Sequence, residues 1–328
     1  WLDANHLSPK QINAVDRLSF IGKRAMGALE FEPAHIIEDA SVNIELTSLY
    51  ELANKIFMDR QDVSIDMSNS LIMEDLYKVG TSAGGQRPKA IIAIDDKTGT
   101  IRSGQADLPT SFKHYILKFG TSKPKEFPFT KVEMAYYLMA KDAGISMMPS
   151  QLIDIDGTQN FLTQRFDRID GKKLHTQTLA AMSSLADTYE DLFVVGRKIK
   201  LSAVEQAQQF RRMVFNVLAV NVDDHTKNFS FIMNEKGEWK LSPAYDLIFS
   251  ADPDSHFFRN HELSILGKRN NITQKDLLLF AQRQDIKNAA NIIDEVAHAV
   301  GKFKEYAEAV GISDYWIKKI QKVLRENL

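Results

Sequence analysis

Apolar and polar positions are spaced in two different ways along this chain. Between residues 90 and 165 the apolar runs are short. Ala90 to Ile94, His114 to Phe119, Gln151 to Ile155 and Asn160 to Arg165 have the length and composition of strands. Asp95-Asp96-Lys97-Thr98-Gly99 and Asp156-Gly157 supply turns, and Thr100 to Ser103 starts a return strand. After Arg165 the apolar spacing becomes helical. Leu179 to Met182, Tyr189 to Lys200, Ala203 to Val222, Gln274 to Gln284, Ile286 to Val310 and Ser313 to Asn327 all predict helices. One helix precedes the change, Lys131 to Ala143, closed by Gly144. Earlier still, Ile44, Leu46, Leu49, Leu52, Ala53, Ile56 and Phe57 recur near helical period, and Met73 to Tyr77 continue it up to Gly80. Residues 1–35 read as a helix end, a turn at Gly22 and a strand after Gly27. The expected class is α+β, with a mixed front part and a mainly helical rear part meeting near Phe166.

Composition narrows the picture. The chain of 328 residues suits one large domain or two lobes. Its net charge of −2 gives no global field for nucleic acid or an anionic membrane. With no cysteine there is no disulfide, thiol catalysis or cysteine metal site, which fits a reducing cytoplasm. No run approaches the roughly 18 apolar residues of a membrane span, and no signal peptide is visible. The chain begins at Trp1 in what reads as the middle of an element, so residues upstream are expected.

The chemistry concentrates between Asn221 and Asp246. Asp223 and Asn228 have the D-x-x-x-x-N spacing of a phosphotransfer catalytic loop. Phe229 to Met233 reads as a strand, Asn234-Glu235-Lys236-Gly237 as a turn and Glu238 to Leu241 as the return. That hairpin would bring Asp246 back towards Asn228. Hard oxygen ligands, few in number and completed by phosphate, are what an ATP-bound magnesium ion requires. Asp223, Asn228 and Asp246 together offer two carboxylates and an amide for it, and the aspartate of the D-x-x-x-x-N spacing is the candidate base. Asp224 competes for the base role, but only Asp223 has the register. His225 reads as a residue that holds the loop. The bland alternative is a loop whose Asp and Asn side chains cap turns.

Upstream features are weaker one by one. Gly80-Thr81-Ser82-Ala83-Gly84-Gly85-Gln86 could cover phosphates, since glycine lets backbone N–H groups approach closely. Gln86 stands where a P-loop would have its lysine, which disfavours that class. Lys118 near a strand end could neutralise ATP phosphates or simply face solvent. Glu133 opens the next helix, where a carboxylate also suits the helix dipole. In this order the two match the strand-lysine and helix-glutamate pair of protein kinases. Asp252, Asp254 and His256 read as a solvated loop, and Phe257 and Phe258 as core.

These pieces resemble the HipA family of bacterial serine/threonine kinases, the toxins of toxin–antitoxin pairs. The likeness rests on Gly22 to Leu29, Ser82 to Lys89, Tyr115 to Lys118, Arg165 to Arg168, Asp223 to Phe229 and Leu241 to Leu247. It implies a two-lobed protein-kinase-like fold, with residues 1–35 the end of an N-terminal subdomain, 36–165 the N-lobe and 166–328 the C-lobe. It makes Lys118 the ATP-phosphate lysine, Glu133 its partner, and Ser82, Ala83, Gly84 and Gly85 the phosphate-covering loop. Gln164, Arg165 and Phe166 would form the adenine hinge, with Asp167 near the ribose. ATP and Mg2+ are the implied cofactors, with Asp223 the catalytic base and Asn228 and Asp246 holding the magnesium. Thr81 or Ser82 would accept phosphate in a silencing autophosphorylation. A HipB-like helix-turn-helix antitoxin is the implied partner, with DNA reached only through it. The implied target is an aminoacyl-tRNA synthetase, whose phosphorylation would arrest growth and promote persistence. Two further readings stand beside this one: a small-molecule kinase on the same scaffold, and an inactive corepressor that binds the antitoxin.

Overall fold

The computed structural model describes residues 12–34, Leu46, Tyr50, 89–104, 108–121, Lys123, 126–251 and 260–326. The Gly-rich segment with Thr81, Ser82, Ala83, Gly84 and Gly85 lies outside the described residues, as does the stretch with Asp252, Asp254, His256, Phe257 and Phe258. The chain forms two compact units, Trp1–Pro124 with Gln151–His175, and Lys125–Ser150 with Thr176–Leu328.

The first unit is built on an antiparallel sheet. Its strands are β1 (Lys89–Asp95), β2 (Ile101–Ser103), β3 (Phe112–Lys118), β4 (Ser150–Ile155) and β5 (Thr158–Gln164), in the order β2-β1-β3-β5-β4. Ala90 to Ala93 are all buried, because this strand lies inside the sheet. Ala90, Ile92, Leu117, Phe119, Ile155 and Leu162 form the core together with Tyr50. The Tyr50 hydroxyl meets Thr158 Oγ1 at 2.8 Å. The register sets Lys118 opposite Lys89 on one side and Phe161 on the other.

The end of β5 is fixed by a buried charge cluster. Arg165 Nε and Nη2 donate to the two oxygens of Asp167 at 2.9 and 2.8 Å. Arg168 Nη1 and the Gly27 N–H donate to Asp167 Oδ2 at 2.9 and 2.6 Å. Arg168 also donates to the carbonyls of Gly27 and Ala25. Burial alone would raise the Asp167 carboxyl, but the Arg165 hydrogen bond and charge, Arg168 and the Gly27 N–H outweigh it, so its pKa lies below the ordinary 3.8. This cluster also explains a departure from the sequence reading. The strand expected after Gly27 is a loop. The carbonyls of Ala25 and Gly27 leading into it serve Arg168 rather than a sheet neighbour, and the loop follows α1 (Ala14–Ile21) and the turn at Gly22.

The second unit is helical around one large core. Its helices are α2 (Phe129–Asp142), α3 (Leu179–Met182), α4 (Tyr189–Lys198), α5 (Ala203–Leu218), α6 (Gln274–Arg283), α7 (Ala289–Gly301), α8 (Phe303–Ala309) and α9 (Asp314–Arg325). Ser, Thr and acidic residues form capping boxes at Thr188, Ser202 and Thr273. The helix expected over 286–310 is divided. Asp285 and Asn288 both have positive φ, so α7 starts late, and Lys302 separates it from α8. Helix α2 belongs to this unit because Val132, Ala135, Tyr136 and Met139 are fully buried in its core. The Tyr136 hydroxyl donates to the Ala219 carbonyl at 2.5 Å, fixing the end of α5. A short ribbon, β6 (Arg168–Ile169) with β7 (Lys172–Lys173), follows β5 in the first unit, and a three-stranded sheet completes the second: β10 (Trp239–Leu241), β9 (Ser230–Met233) and β8 (His175–Thr178).

Replacing Asp167 by Asn is expected to leave two buried guanidinium groups without their counter-charge. Urea unfolding should show a loss of roughly 3–5 kcal/mol. A change within error would mean that the cluster is not what secures the end of β5.

Candidate active site

The site is set up by the way α5 ends. Val220 takes a φ of +53°, a left-handed conformation that costs a β-branched residue about 1–2 kcal/mol. The turn is held from both sides. Tyr136 fixes Ala219, and the Ser250 N–H donates to the Val220 carbonyl at 3.3 Å. Strain of this kind persists only where the surroundings over-determine it. It cuts short the helix that the apolar pattern extended to Val222, and leads the chain into the loop that carries Asp223.

Asp223 and its neighbour have opposite environments. Asp224 is 1% exposed. The Tyr189 hydroxyl donates to its Oδ2 at 2.6 Å, His261 Nδ1 donates to the same oxygen at 2.8 Å, and the Glu262 N–H donates to Oδ1 at 2.8 Å. A carboxylate only accepts, so Nδ1 of His261 carries the proton. The Tyr189 oxygen in turn accepts from Asn216 Nδ2, and Asn216 Oδ1 accepts from Asn221 Nδ2. Asn221 Oδ1 accepts from Ser250 Oγ, which accepts the Asp223 N–H at 3.0 Å. One continuous network therefore runs beneath the loop and returns to the backbone of Asp223. The Asp223 side chain is 63% exposed.

Asn228 closes the loop. Residues Thr226–Asn228 make one 3-10 turn, and the Asn228 N–H donates to the His225 carbonyl. Its side-chain Nδ2 donates to the Asp223 carbonyl at 2.8 Å. The amide nitrogen must face that carbonyl, which directs Oδ1 the other way, as an oxygen ligand requires. The hairpin follows as expected. Trp239 pairs with Met233 and Leu241 with Phe231. Asn234 Oδ1 accepts from the Lys236 and Glu238 N–H groups, and Gly237 takes the positive φ that closes the turn. Asp246 emerges in the left-handed region with φ +57°.

The electrostatics tie these acids together. Burial of part of Asp223 raises its pKa above the ordinary 3.8. His225 opposes this, while the charges of Asp246, Glu262 and Asp224 add to it. Asp246 is thus near enough for its charge to be felt at Asp223. Asn228 and Asp246 offer the amide and carboxylate oxygens that suit magnesium, with room in its shell for phosphate oxygens. Among the described residues no group of three His, Cys, Asp or Glu could hold a metal alone.

The other candidates lie as follows. Lys118 is 9% exposed at the end of β3, its ammonium 6.0 Å from the Phe161 ring centre. Glu133 is 5% exposed on α2 and belongs to the other compact unit. Gln164 ends β5, and the Arg165 N–H donates to the His114 carbonyl. The Asp167 oxygens are occupied by the cluster described above, so Asp167 supports the strand end from within. His225 does not hold the loop through its ring. Its Nδ1 is buried without a hydrogen-bond partner and its Nε2 stands 3.9 Å from Asp223 Oδ1. The histidine that holds the loop is His261. The sequence reading missed it, along with Tyr189, Asn216 and Ser250. Only an unexplained His-Glu pair after the hairpin could have signalled it.

Residues 81–303 match the HipA-like C-terminal domain. A Haemophilus influenzae protein provisionally named a kinase is 26% identical over 269 residues, covering 75% of this chain and 71% of its own length. Y4mE of Sinorhizobium fredii, also provisionally named a kinase, is 25% identical over 251 residues, which is 68% of this chain and 56% of Y4mE. Among solved structures, the Shewanella oneidensis toxin–antitoxin complex of HipA, HipB and operator DNA aligns with 100% of this chain and 79% of the matching chain. The TM-score is 0.64 at 16% identity. That likeness shows the fold, the kinase-like α+β class read from the sequence.

The two aspartates should respond differently to substitution. A carboxyl with a raised pKa contributes stability below the unfolded value, and that contribution is lost as pH rises through the folded one. Asp223→Asn should therefore melt at or above the wild-type temperature at neutral pH, with the gap closing as pH falls through the raised folded value and gone below the ordinary 3.8. Asp224→Asn loses a charged acceptor and sets an amide N–H2 against buried donors, at a cost of roughly 2–4 kcal/mol in urea unfolding. Equal behaviour of the two variants would contradict the assignment.

Proposed function

The chain belongs to the family of the HipA-like C-terminal domain, and on that footing we propose that it is an ATP- and magnesium-dependent serine/threonine protein kinase. The observation that carries the proposal is the arrangement of the 221–246 stretch. An exposed Asp223 stands over a buried network, Asn228 is tied to its carbonyl, and Asp246 acts on its charge. Catalysis in this class is mostly positioning and charge stabilisation.

In this reading Asp223 orients the substrate hydroxyl and takes its proton. Its raised pKa makes it more basic than an ordinary carboxylate. Asn228 and Asp246 would hold magnesium, which when bound offsets charge on the β- and γ-phosphates. Lys118 would face the phosphates with Glu133 as its partner. Residues Ser82 to Gly85 would cover the phosphates, and Gln164, Arg165 and Phe166 would meet adenine through the backbone. Asp167 serves that strand by fixing its end. Residues 36–165 then act as the N-lobe, 166–328 as the C-lobe, and 1–35 as part of a preceding subdomain.

The family supports a regulatory context. Shewanella HipA is solved with HipB and operator DNA. We read the partner here as a HipB-like helix-turn-helix antitoxin, with DNA contacted through it. The net charge of −2 agrees with that division of labour. The target class would be an aminoacyl-tRNA synthetase, and Thr81 or Ser82 would carry a silencing phosphate. No helix among the described residues is long and apolar enough to cross a membrane.

Asp223→Asn is expected to fold and to bind ATP, while phosphate transfer falls by roughly 10²–10⁴-fold. Radiolabelled ATP with a cell lysate reads this directly. Full transfer by the variant would remove Asp223 from the base role. In the wild type, phosphopeptides mapping to Thr81 or Ser82 are expected. Label appearing only on small molecules would favour the other class of kinase.

A further inference from the structure

Tyr245 lies directly before Asp246 in the chain, and Lys227 directly before Asn228. The Tyr245 hydroxyl donates to the Lys227 carbonyl at 2.7 Å. The Ser230 hydroxyl meets the same phenol oxygen. With its one proton given to Lys227, the phenol oxygen accepts from Ser230. A single side chain therefore joins the 3-10 turn, the start of β9 and the segment that delivers Asp246.

The rest of that segment is anchored independently. The Ser242 N–H donates to the Ser230 carbonyl at 3.1 Å, and the Ala244 N–H to the Ser146 carbonyl at 2.8 Å. The buried guanidinium of Arg212 donates to the Ser242 carbonyl at 2.6 Å, and burial pushes its pKa down to about 10. Ser242 and Ala244 are fixed before Asp246 and Ser250 after it, and Tyr245 is the side chain that ties this segment to the turn ahead of Asn228. A magnesium ion needs near-ideal octahedral geometry with short bonds, so small errors in ligand separation weaken it strongly.

We propose that Tyr245 is a positioning residue whose hydroxyl sets the separation of Asn228 and Asp246, the two metal ligands of the proposed kinase. The inference rests on that reading of the site and adds to it a residue that touches neither metal nor nucleotide.

The test is binding of Mn2+ to the full chain in the presence of a non-hydrolysable ATP analogue, followed by electron paramagnetic resonance. Binding of the analogue without metal is measured alongside. Tyr245→Phe is expected to weaken Mn2+ by about 10-fold or more and to leave metal-free binding of the analogue unchanged. Ser230→Ala keeps the ring and removes the group that orients its hydroxyl, so it should shift Mn2+ affinity in the same direction by a smaller factor. It serves as the readout where Tyr245→Phe does not fold. Wild-type Mn2+ affinity in folded Tyr245→Phe, or in Ser230→Ala where that variant is the readout, would overturn this inference alone. A wild-type chain that binds no Mn2+ with the analogue would overturn the inference together with the kinase reading.

Discussion

The buried carboxylate of Asp224 is the constraint on which the loop depends. An ionised group taken out of water costs several kcal/mol unless donors replace its hydration. Here the donors are the Tyr189 hydroxyl, the His261 ring and the Glu262 N–H. They come from α4, and from the segment after residue 259. Asp224 can be buried only when those elements are all in place. With Asp224 held inward, its neighbour Asp223 is the one left exposed. The choice between two adjacent aspartates, made on register in the sequence, is thus made physically by burial. Half-satisfied networks are worse than apolar cores, so the chain of contacts through Asn216, Asn221 and Ser250 favours one arrangement of the loop.

Two strained residues frame the same stretch. Val220 and Asp246 both adopt left-handed backbone conformations. Neither has a local reason to do so, and each is secured by groups distant in sequence. Tyr136 and Ser250 hold the turn at Val220. Arg212, Ser146 and Tyr245 hold the approach to Asp246. The second unit spends much of its fully buried aromatic surface on this purpose. Tyr136 packs edge-on against Phe215, and Tyr189 against Phe229. Packing of the helices and placement of the acids are therefore one problem, solved by the same side chains.

What could be read beforehand was local. The hairpin from Ser230 to Leu241 is written in Asn234 and Gly237 and in the apolar residues around them. The D-x-x-x-x-N register works because one 3-10 turn is enough to bring Asn228 against the Asp223 carbonyl. What escaped the sequence was long-range. His261 reaches Asp224 across 37 positions, and no spacing rule links them. His225 was the nearer candidate for holding the loop, yet its ring makes no such bond. The loop after Gly27 has strand-like composition, but the chain leading into it is claimed by Arg168, more than a hundred residues away, through the carbonyls of Ala25 and Gly27. Helix ends were misjudged at Val220 and Asn288, where positive φ overrides an apolar pattern that would continue.

In the proposed reading the 221–246 stretch binds the metal–nucleotide complex with Asp223 facing it and Asp224 turned away. A crystal structure of the full chain with Mn2+ and a non-hydrolysable ATP analogue decides this, because the anomalous signal locates the metal. A metal peak is expected within roughly 2.0–2.2 Å of Asn228 Oδ1 and an Asp246 oxygen, with Asp224 still on Tyr189 and His261. A metal and nucleotide bound elsewhere, or Asp224 swung into the metal shell, would contradict it.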